Sequence, residues 1–252
     1  MLSALAALLS LITLLAVAYQ VRILRRTNEK LNKLLSPERD VRRIAKELEK
    51  SSRENYRQGE FYQQLLNLLN LKAPIPSTRN WAASPDLLLT LLQQARVTEP
   101  SVILDLGSGM STLVLAKSAP NARIISIDNS DEYAGKTKKL LQLHEVNNVD
   151  LRVAPLTPHS SGVDWYEVSQ LEDVANIDLL FIDGPPGSKN PQARHPALKE
   201  CLSKLSPNAI IVIDDAGRDG ERDLAEQFAA ALPSHRLEFL HHEKGTAVLH
   251  PR

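Results

Sequence analysis

An α/β protein built on one mostly parallel sheet is the fold class this chain predicts, from three observations. Short apolar runs alternate with helical stretches from residue 102 onward. Four of those runs end in aspartate, at 105, 128, 183 and the pair 214–215. The last two runs alternate apolar and polar residues and are joined by His242-Glu-Lys-Gly245. Apolar runs of about four to eight residues between helices argue for βαβ units. The parallel sheets these units make are covered on both faces. The closing pair reads as an antiparallel hairpin.

Taken in order, Val102–Leu106 is a buried strand that enters an acidic, glycine-rich turn, Gly107-Ser-Gly109, and then a helix. Ile124–Asp128 is the second strand, its aspartate 23 residues after Asp105. A helix is expected over Asp131–Val146, then a strand at Val149–Val153 that runs into Ala154-Pro155-Leu156. Ile177–Asp183 and Ala209–Asp215 are two more strands, with helices near Pro196–Leu205 and Glu221–Leu232. Arg236–Leu240 and Thr246–Leu249 form the hairpin. Ligands on such sheets bind outside the carboxyl ends of the strands. Acids inside strands are costly, so a cluster of them at one sheet edge marks a candidate site.

The first turn narrows the ligand. Glycine lets the backbone approach a ligand without a Cβ clash, and a helix N-terminus offers free N–H groups. An acid at the tip of the next strand, Asp128, can accept hydrogen bonds from two ribose hydroxyls. These are the needs of a nucleoside-bearing cofactor. A dinucleotide fingerprint places a third glycine where this chain has Thr112. Asp105 would repel a pyrophosphate and suits an ammonium or sulfonium group instead. Both disfavour an NAD-dependent or nucleotide-sugar enzyme.

Asp105-Leu-Gly107-Ser-Gly109 resembles motif I of the class I S-adenosylmethionine (SAM) methyltransferases, and the terminal hairpin resembles the end of their sheet. The resemblance covers about residue 81 to the end, and departs at Ser111, where many members carry a third glycine. It implies a Rossmann-like sheet of seven strands, mostly parallel, closed by the antiparallel hairpin. It implies SAM as cofactor, with Asp105 at the amino group. Gly107, Ser108, Gly109, Ser111 and Thr112 would meet the carboxylate end, and Asp128 with Asn129 the ribose. Ala154, Pro155 and Leu156 would lie beside the adenine. Phe181–Gly187, Arg194–Ala197 and Asp214–Arg218 are similar to the catechol and caffeoyl-CoA branch of O-methyltransferases. That likeness implies transfer to oxygen and Mg²⁺ held by Asp183, Asp214 and Asp215. Asp215 stands at a position where that branch carries asparagine, which adds a negative charge. In the competing reading Asp183 lines the cofactor pocket while Asp214 or Asp215 caps a helix or pairs with Arg218 or Arg222.

Asp183 and His195 are the catalytic candidates, with His159 a further histidine able to act as a base. Trp165-Tyr166 is expected to shape the acceptor pocket; the sequence around Trp81 reads as a helix start with Ser84 as N-cap and Pro85 and Asp86 in the first turn, and a Trp81 lid over the cofactor is the alternative. Cys201 has leucine neighbours at helical spacing and reads as core. A single cysteine excludes a disulfide framework within the chain and a four-cysteine zinc site. A net charge of zero excludes a strong nucleic-acid footprint.

The N-terminus carries the second pattern. Met1 to Val21 has no charged side chain, and Arg22, Arg25, Arg26, Lys30 and Lys33 follow. About 20 apolar residues match the bilayer core, and the basic flank orients the bulk inward. This predicts a transmembrane helix over 1–21, a basic helical stalk and linker over 22–80, and the enzyme domain over 81–252. It places the chain in a bacterial inner membrane with the domain cytoplasmic. Ala16-Val-Ala18, which resembles a signal cleavage site, is the rival reading. Residues 22–60 hold 12 Lys or Arg against 7 Asp or Glu. Ser36-Pro37 reads as a helix break and restart. The expected acceptor is a small molecule or a lipid-linked envelope precursor, and a homodimer is compatible with the stalk. The alternative function is an inactive scaffold at the membrane.

Overall fold

A computed structural model describes residues 10–33, 40–187 and 190–252. The chain forms two compact units, Met1–Tyr56 and Arg57–Arg252. Helix α1 is assigned to Leu2–Leu68, so its last turns belong to the second unit. In the first unit the apolar side chains from Leu11 to Leu24 are exposed, as are Val41, Ile44 and Leu48. Local ion pairs such as Arg53–Glu49 decorate its surface and add little stability.

The expected membrane span is corrected here. Among the described residues no helix is long and apolar enough to cross a membrane. Residues 1–9 and the expected break at Ser36-Pro37 lie outside the described residues. The transmembrane part of the expected fold, and the membrane localisation built on it, are therefore not supported.

The second unit is an α/β sandwich. Its elements are α2 (Pro85–Thr98), β1 (Val102–Leu106), α3 (Met110–Ser118), β2 (Arg123–Asp128), α4 (Asp131–Leu143) and β3 (Val149–Val153). A small hairpin follows, β4 (Leu156–Pro158) with β5 (Asp164–Tyr166), then β6 (Ile177–Ile182) and α5 (Pro196–Cys201). The chain closes with β7 (Leu205–Asp214), α6 (Asp219–Ala231), β8 (His235–Leu240) and β9 (Thr246–Pro251). The main sheet has seven strands in the order β3-β2-β1-β6-β7-β9-β8. All neighbours are parallel except β7–β9 and β8–β9. The mostly parallel sheet with its antiparallel end is thus as the sequence predicts.

Alternation along the strands divides the core between two faces. Ile103, Leu179, Phe181 and Val212 pack under α2 and α3. Their neighbours Leu104, Leu180, Ile182 and Ile211 pack on the other face against Leu224 and Phe228 of α6. The two faces cover both sides of β1, β6 and β7, which explains why these strands read as continuous apolar runs. Leu65 of α1 is fully buried in the first cluster. The helix expected over 196–205 ends at Cys201 and passes through a 3₁₀ turn, Leu202–Lys204, into a longer β7. Cys201 is fully buried, and burial pushes its thiol to about 12.

Candidate active site

The sheet is tied together at the carboxyl ends of its central strands. Gly107 follows β1 with φ of +119°, a conformation that L side chains rarely adopt. A Cβ there would stand 3.2 Å from the backbone of Asp183 and Gly184. The absence of a side chain therefore lets the ends of β1 and β6 approach. The Gly107 N–H donates to the Ile127 carbonyl at 2.9 Å, and the Asp183 N–H to the Leu106 carbonyl at 2.8 Å. Three strand ends, β2, β1 and β6, are fixed by these two bonds.

A cavity of about 340 Å³ opens above them, within the usual range for a ligand pocket. Gly107, Ser108, Asp128 and Asn129 line one side. Asp128 accepts from the Ser108 hydroxyl at 2.6 Å and from the Ser130 N–H at 2.8 Å, which holds its carboxylate at the tip of β2. Tyr133, Tyr166, Asp183 and Arg194 line other parts of the wall. Tyr166 and Gly184 are matched, because a Cβ on Gly184 would stand 2.1 Å from the Tyr166 hydroxyl oxygen.

Asp105 and Thr112 are turned inward. Asp105 is fully buried, and its Oδ2 accepts from Thr112 at 2.6 Å and Ser126 at 3.0 Å. The Thr112 hydroxyl also accepts the Gly109 N–H at 3.0 Å. Threonine at the third-glycine position thus ties the glycine turn to the buried acid. The other Asp105 oxygen has no hydrogen-bond partner. Burial pushes its carboxyl up to about 7, against the lowering effect of the two hydroxyls. Neither residue lines the cavity, so the hydroxyl expected to meet a carboxylate end is committed elsewhere. Ser111 is buried too, 3.5 Å from the Gly107 carbonyl.

The second feature is an acidic cluster. Carboxylate oxygens of Asp183, Asp214 and Asp215 lie within 4.8 Å of one another, on β6 and β7 ends. A buried guanidinium enters this cluster. Arg194, 3 % exposed, donates to Asp183 at 3.1 Å, to Asp215 at 3.0 Å and to the Asp214 carbonyl at 3.1 Å. Glu221 stands 3.6 Å from it. Arg218 pairs with Asp215 at 3.0 Å, and Lys244 lies 3.7 Å from Asp214. Burial raises Asp183 to about 6, against the opposing pull of Arg194. Burial and the two neighbouring aspartates push Asp214 well above the ordinary carboxylate range. The Mg²⁺ implied by resemblance does not fit these residues. A hard dication needs several free oxygens, and a guanidinium that cannot be deprotonated already engages Asp183 and Asp215. The alternative pairing of Asp215 with Arg218 is the one present.

Among the remaining expectations, Ala154 is fully buried while Leu156 is partly exposed; neither they nor Pro155 line the cavity. His195 bonds Asp223 at 2.8 Å and His159 bonds Glu200 at 2.9 Å, and neither lines it. Trp165 is fully buried, so Tyr166 alone of that pair reaches the cavity, whereas Trp81 lines it and is exposed. Sequence reasoning gave Arg194, Tyr133 and Lys244 no role. The signal for the two cations was the acids themselves, since carboxylates crowded at one buried edge require positive partners.

Strand order, a glycine turn after the first strand and an acid at the tip of the second define a class I methyltransferase architecture. Residues 104–216 match a methyltransferase domain family. No curated protein matches the chain. Among solved structures it is similar to the O-methyltransferase from Bacillus cereus in complex with SAH, at 19% identity and a TM-score of 0.56 over 77% of this chain and 91% of that one. It is similar to the SAH-bound Podospora anserina methyltransferase PaMTH1, at 19% identity and 0.52 over 77% and 87%. It is also similar to the precorrin-6y C5,15-methyltransferase from Geobacter metallireducens, at 16% and 0.54 over 72% and 96%. At these identities the likeness carries the fold, and the domain match makes residues 104–216 a methyltransferase domain.

Proposed function

We propose that this chain transfers the methyl group of SAM to an oxygen of a small-molecule acceptor, with Asp183 receiving the acceptor's proton. The observation that carries the reading is the position of Asp183. It lies on the cavity wall at the end of β6, one oxygen bonded to Arg194. With a carboxyl near 6, it is mostly ionised at neutral pH yet basic enough to accept a proton, which is what a general base needs. The Bacillus cereus structure is described as an O-methyltransferase, which favours oxygen over carbon.

In this reading Gly107 and Ser108 would hold SAM, Asp128 would accept its ribose hydroxyls and Tyr133 would stand beside the nucleoside. An acceptor enters from a second, contiguous cleft of about 760 Å³. That cleft is lined by Ala216–Arg218 and the β8–β9 loop, and it shares Asn80, Asp215, Arg218 and Lys244 with the cofactor cavity. The acceptor oxygen attacks the methyl carbon as the carbon–sulfur bond breaks. The bond's electron pair passes to sulfur, leaving a neutral thioether, and the hydroxyl proton goes to Asp183. Holding both partners in line supplies the rate advantage.

A radiolabelled-SAM screen over phenols, hydroxy acids and amines tests the reading, with Asp183→Asn beside it. Label in an oxygen-linked methyl product, lost in the variant while SAM still binds by calorimetry, is the expected result. Product methylated at carbon or nitrogen, or full activity of Asp183→Asn, would refute it.

A further inference from the structure

We propose that the Arg194 guanidinium occupies the place of a divalent cation in this site, so that methyl transfer here is independent of metal. The inference rests on the methyl-transfer reading for its catalytic meaning, but its geometry stands by itself. Three carboxylates from two strand ends converge within 4.8 Å, the kind of oxygen set a hard cation binds. Arg194 comes from the loop before α5 and reaches into that set with its side chain 4% exposed. One terminal nitrogen spans two of the three acids, Asp183 at 3.1 Å and Asp215 at 3.0 Å. The other meets the Asp214 carbonyl at 3.1 Å, and Nε lies 3.4 Å from the Pro185 carbonyl. Four contacts fix the plane of the group on all sides.

The surrounding charges agree. Lys244 faces Asp214 at 3.7 Å and Asp215 at 4.0 Å, and Arg218 stands 3.0 Å from Asp215. Arg194, Arg218 and Lys244 together face Asp183, Asp214, Asp215 and Glu221. A dication added to this set would be repelled by three cations and would have to share Asp183 and Asp215 with the guanidinium bonds already made. Arginine suits the task better than lysine because its planar fork meets several oxygens at once and keeps its charge when buried. Its role is positioning: it keeps Asp183 ionised and aimed at the cavity, where a metal would instead act on the acceptor oxygen directly.

The test is a Mn²⁺ titration of the full chain followed by electron paramagnetic resonance, which needs no acceptor. Wild type is expected to leave the free Mn²⁺ signal unchanged to about 1 mM, in the weak-binding range. Arg194→Met keeps an apolar stem, removes the charge and frees the oxygens. It is expected to bind Mn²⁺ at least tenfold more tightly than wild type, and Asp183→Asn in that background to abolish the gain. Wild-type binding at micromolar Mn²⁺ that Asp183→Asn removes would overturn the proposal. So would a folded Arg194→Met chain that binds Mn²⁺ no better than wild type. If Arg194→Met does not fold, the wild-type titration decides by the same criterion. SAM calorimetry on the same samples separates the two readings: absent SAM binding with the expected Mn²⁺ pattern would refute methyl transfer and leave the cation replacement standing.

Discussion

Asp105→Asn should flatten part of the pH dependence of stability, and by a predictable amount. Asp105 is fully buried with a carboxyl near 7, raised by burial from the ordinary 3.8. A shift of about 3 units corresponds to about 4 kcal/mol of differential free energy. The sign follows from proton counting. Between 3.8 and about 7 the folded chain binds more protons at this site than the unfolded one. Stability therefore falls as pH rises through that window, and the full penalty is present above it. Asparagine keeps an oxygen for Thr112 and Ser126 and removes the charge, but buries an amide N–H₂ without an acceptor, at a cost of about 1–3 kcal/mol. At pH 8.5 the variant is expected to be more stable by about 1–3 kcal/mol, and that advantage to shrink by about 3 kcal/mol on going to pH 5. Urea unfolding at half-unit steps from pH 5 to 8.5 measures both chains. Asp183 and Asp214 contribute slopes of the same sign to each, so only the difference curve isolates Asp105. A difference that does not change with pH would refute the buried, near-neutral carboxyl.

Three further outcomes follow from single contacts. Asp128→Ala should weaken SAM binding in calorimetry by about ten- to a hundredfold, since hydrogen bonds to a charged acceptor contribute about 1.5–3 kcal/mol; an unchanged Kd would remove Asp128 from the ribose. Gly184→Ala puts a Cβ 2.1 Å from the Tyr166 hydroxyl oxygen, so a loss of about 1–3 kcal/mol from overpacking is expected, and Tyr166→Phe in that background should recover part of it in thermal melts. Cys201, fully buried and with its thiol near 12, should ignore a disulfide-exchange reagent at pH 8 until denaturant is added, because the thiolate is the reactive form; prompt labelling of the native chain would contradict its burial.

The strands were legible because their chemistry repeats. β1, β6 and β7 are covered on both faces, so each reads as an unbroken apolar run, and aspartates mark the edge where the runs stop. Gly107, Asp128 and Asp183 were read from that punctuation, Ser108 and Asn129 came with the resemblance, and all five line the cavity. The misses have physical causes. The direction of Asp105 and Thr112 depends on the pleat and on Ser126 across the β1–β2 pair, which local sequence does not display. Ala154–Leu156 were placed by resemblance, and the β4–β5 hairpin begins at that point instead. Arg194 lies 11 residues beyond Asp183 in a loop, so only the folded chain brings its guanidinium onto the acids. The span at 1–21 was read from composition and its basic flank, and among the described residues no helix is long and apolar enough to cross a membrane.

One cation of the site, Lys244, sits in a loop anchored by a distant buried acid, and the effect of that anchor can be measured. Lys244 sits in the β8–β9 loop, which is bound to the turn after β7 by Gly217 N–H to the Lys244 carbonyl at 2.9 Å and Ala216 N–H to the Gly245 carbonyl at 3.0 Å. The same loop is held from the other side by Asp86, which accepts the Glu243 N–H at 2.8 Å. Asp86 also accepts from Gln58 at 2.7 Å, from Ser84 and from the Leu87 N–H at 2.9 Å. Burial alone would raise its carboxyl, yet these bonds hold it below the ordinary value. Its stabilising effect is therefore complete above 3.8 and is lost as pH falls through the lowered value. Asp86→Ala strands several buried donors, so a cost of about 3–5 kcal/mol is expected. Hydrogen exchange distinguishes a local effect from a global one. Amides of Ala216, Gly217 and Gly245 should lose protection by at least tenfold more than those of Ile124 and Ile125 in β2, because the loop loses its own anchor as well as sharing the global loss. Equal loss at both places would show that Asp86 acts on the whole fold and does not hold Lys244 over the acids.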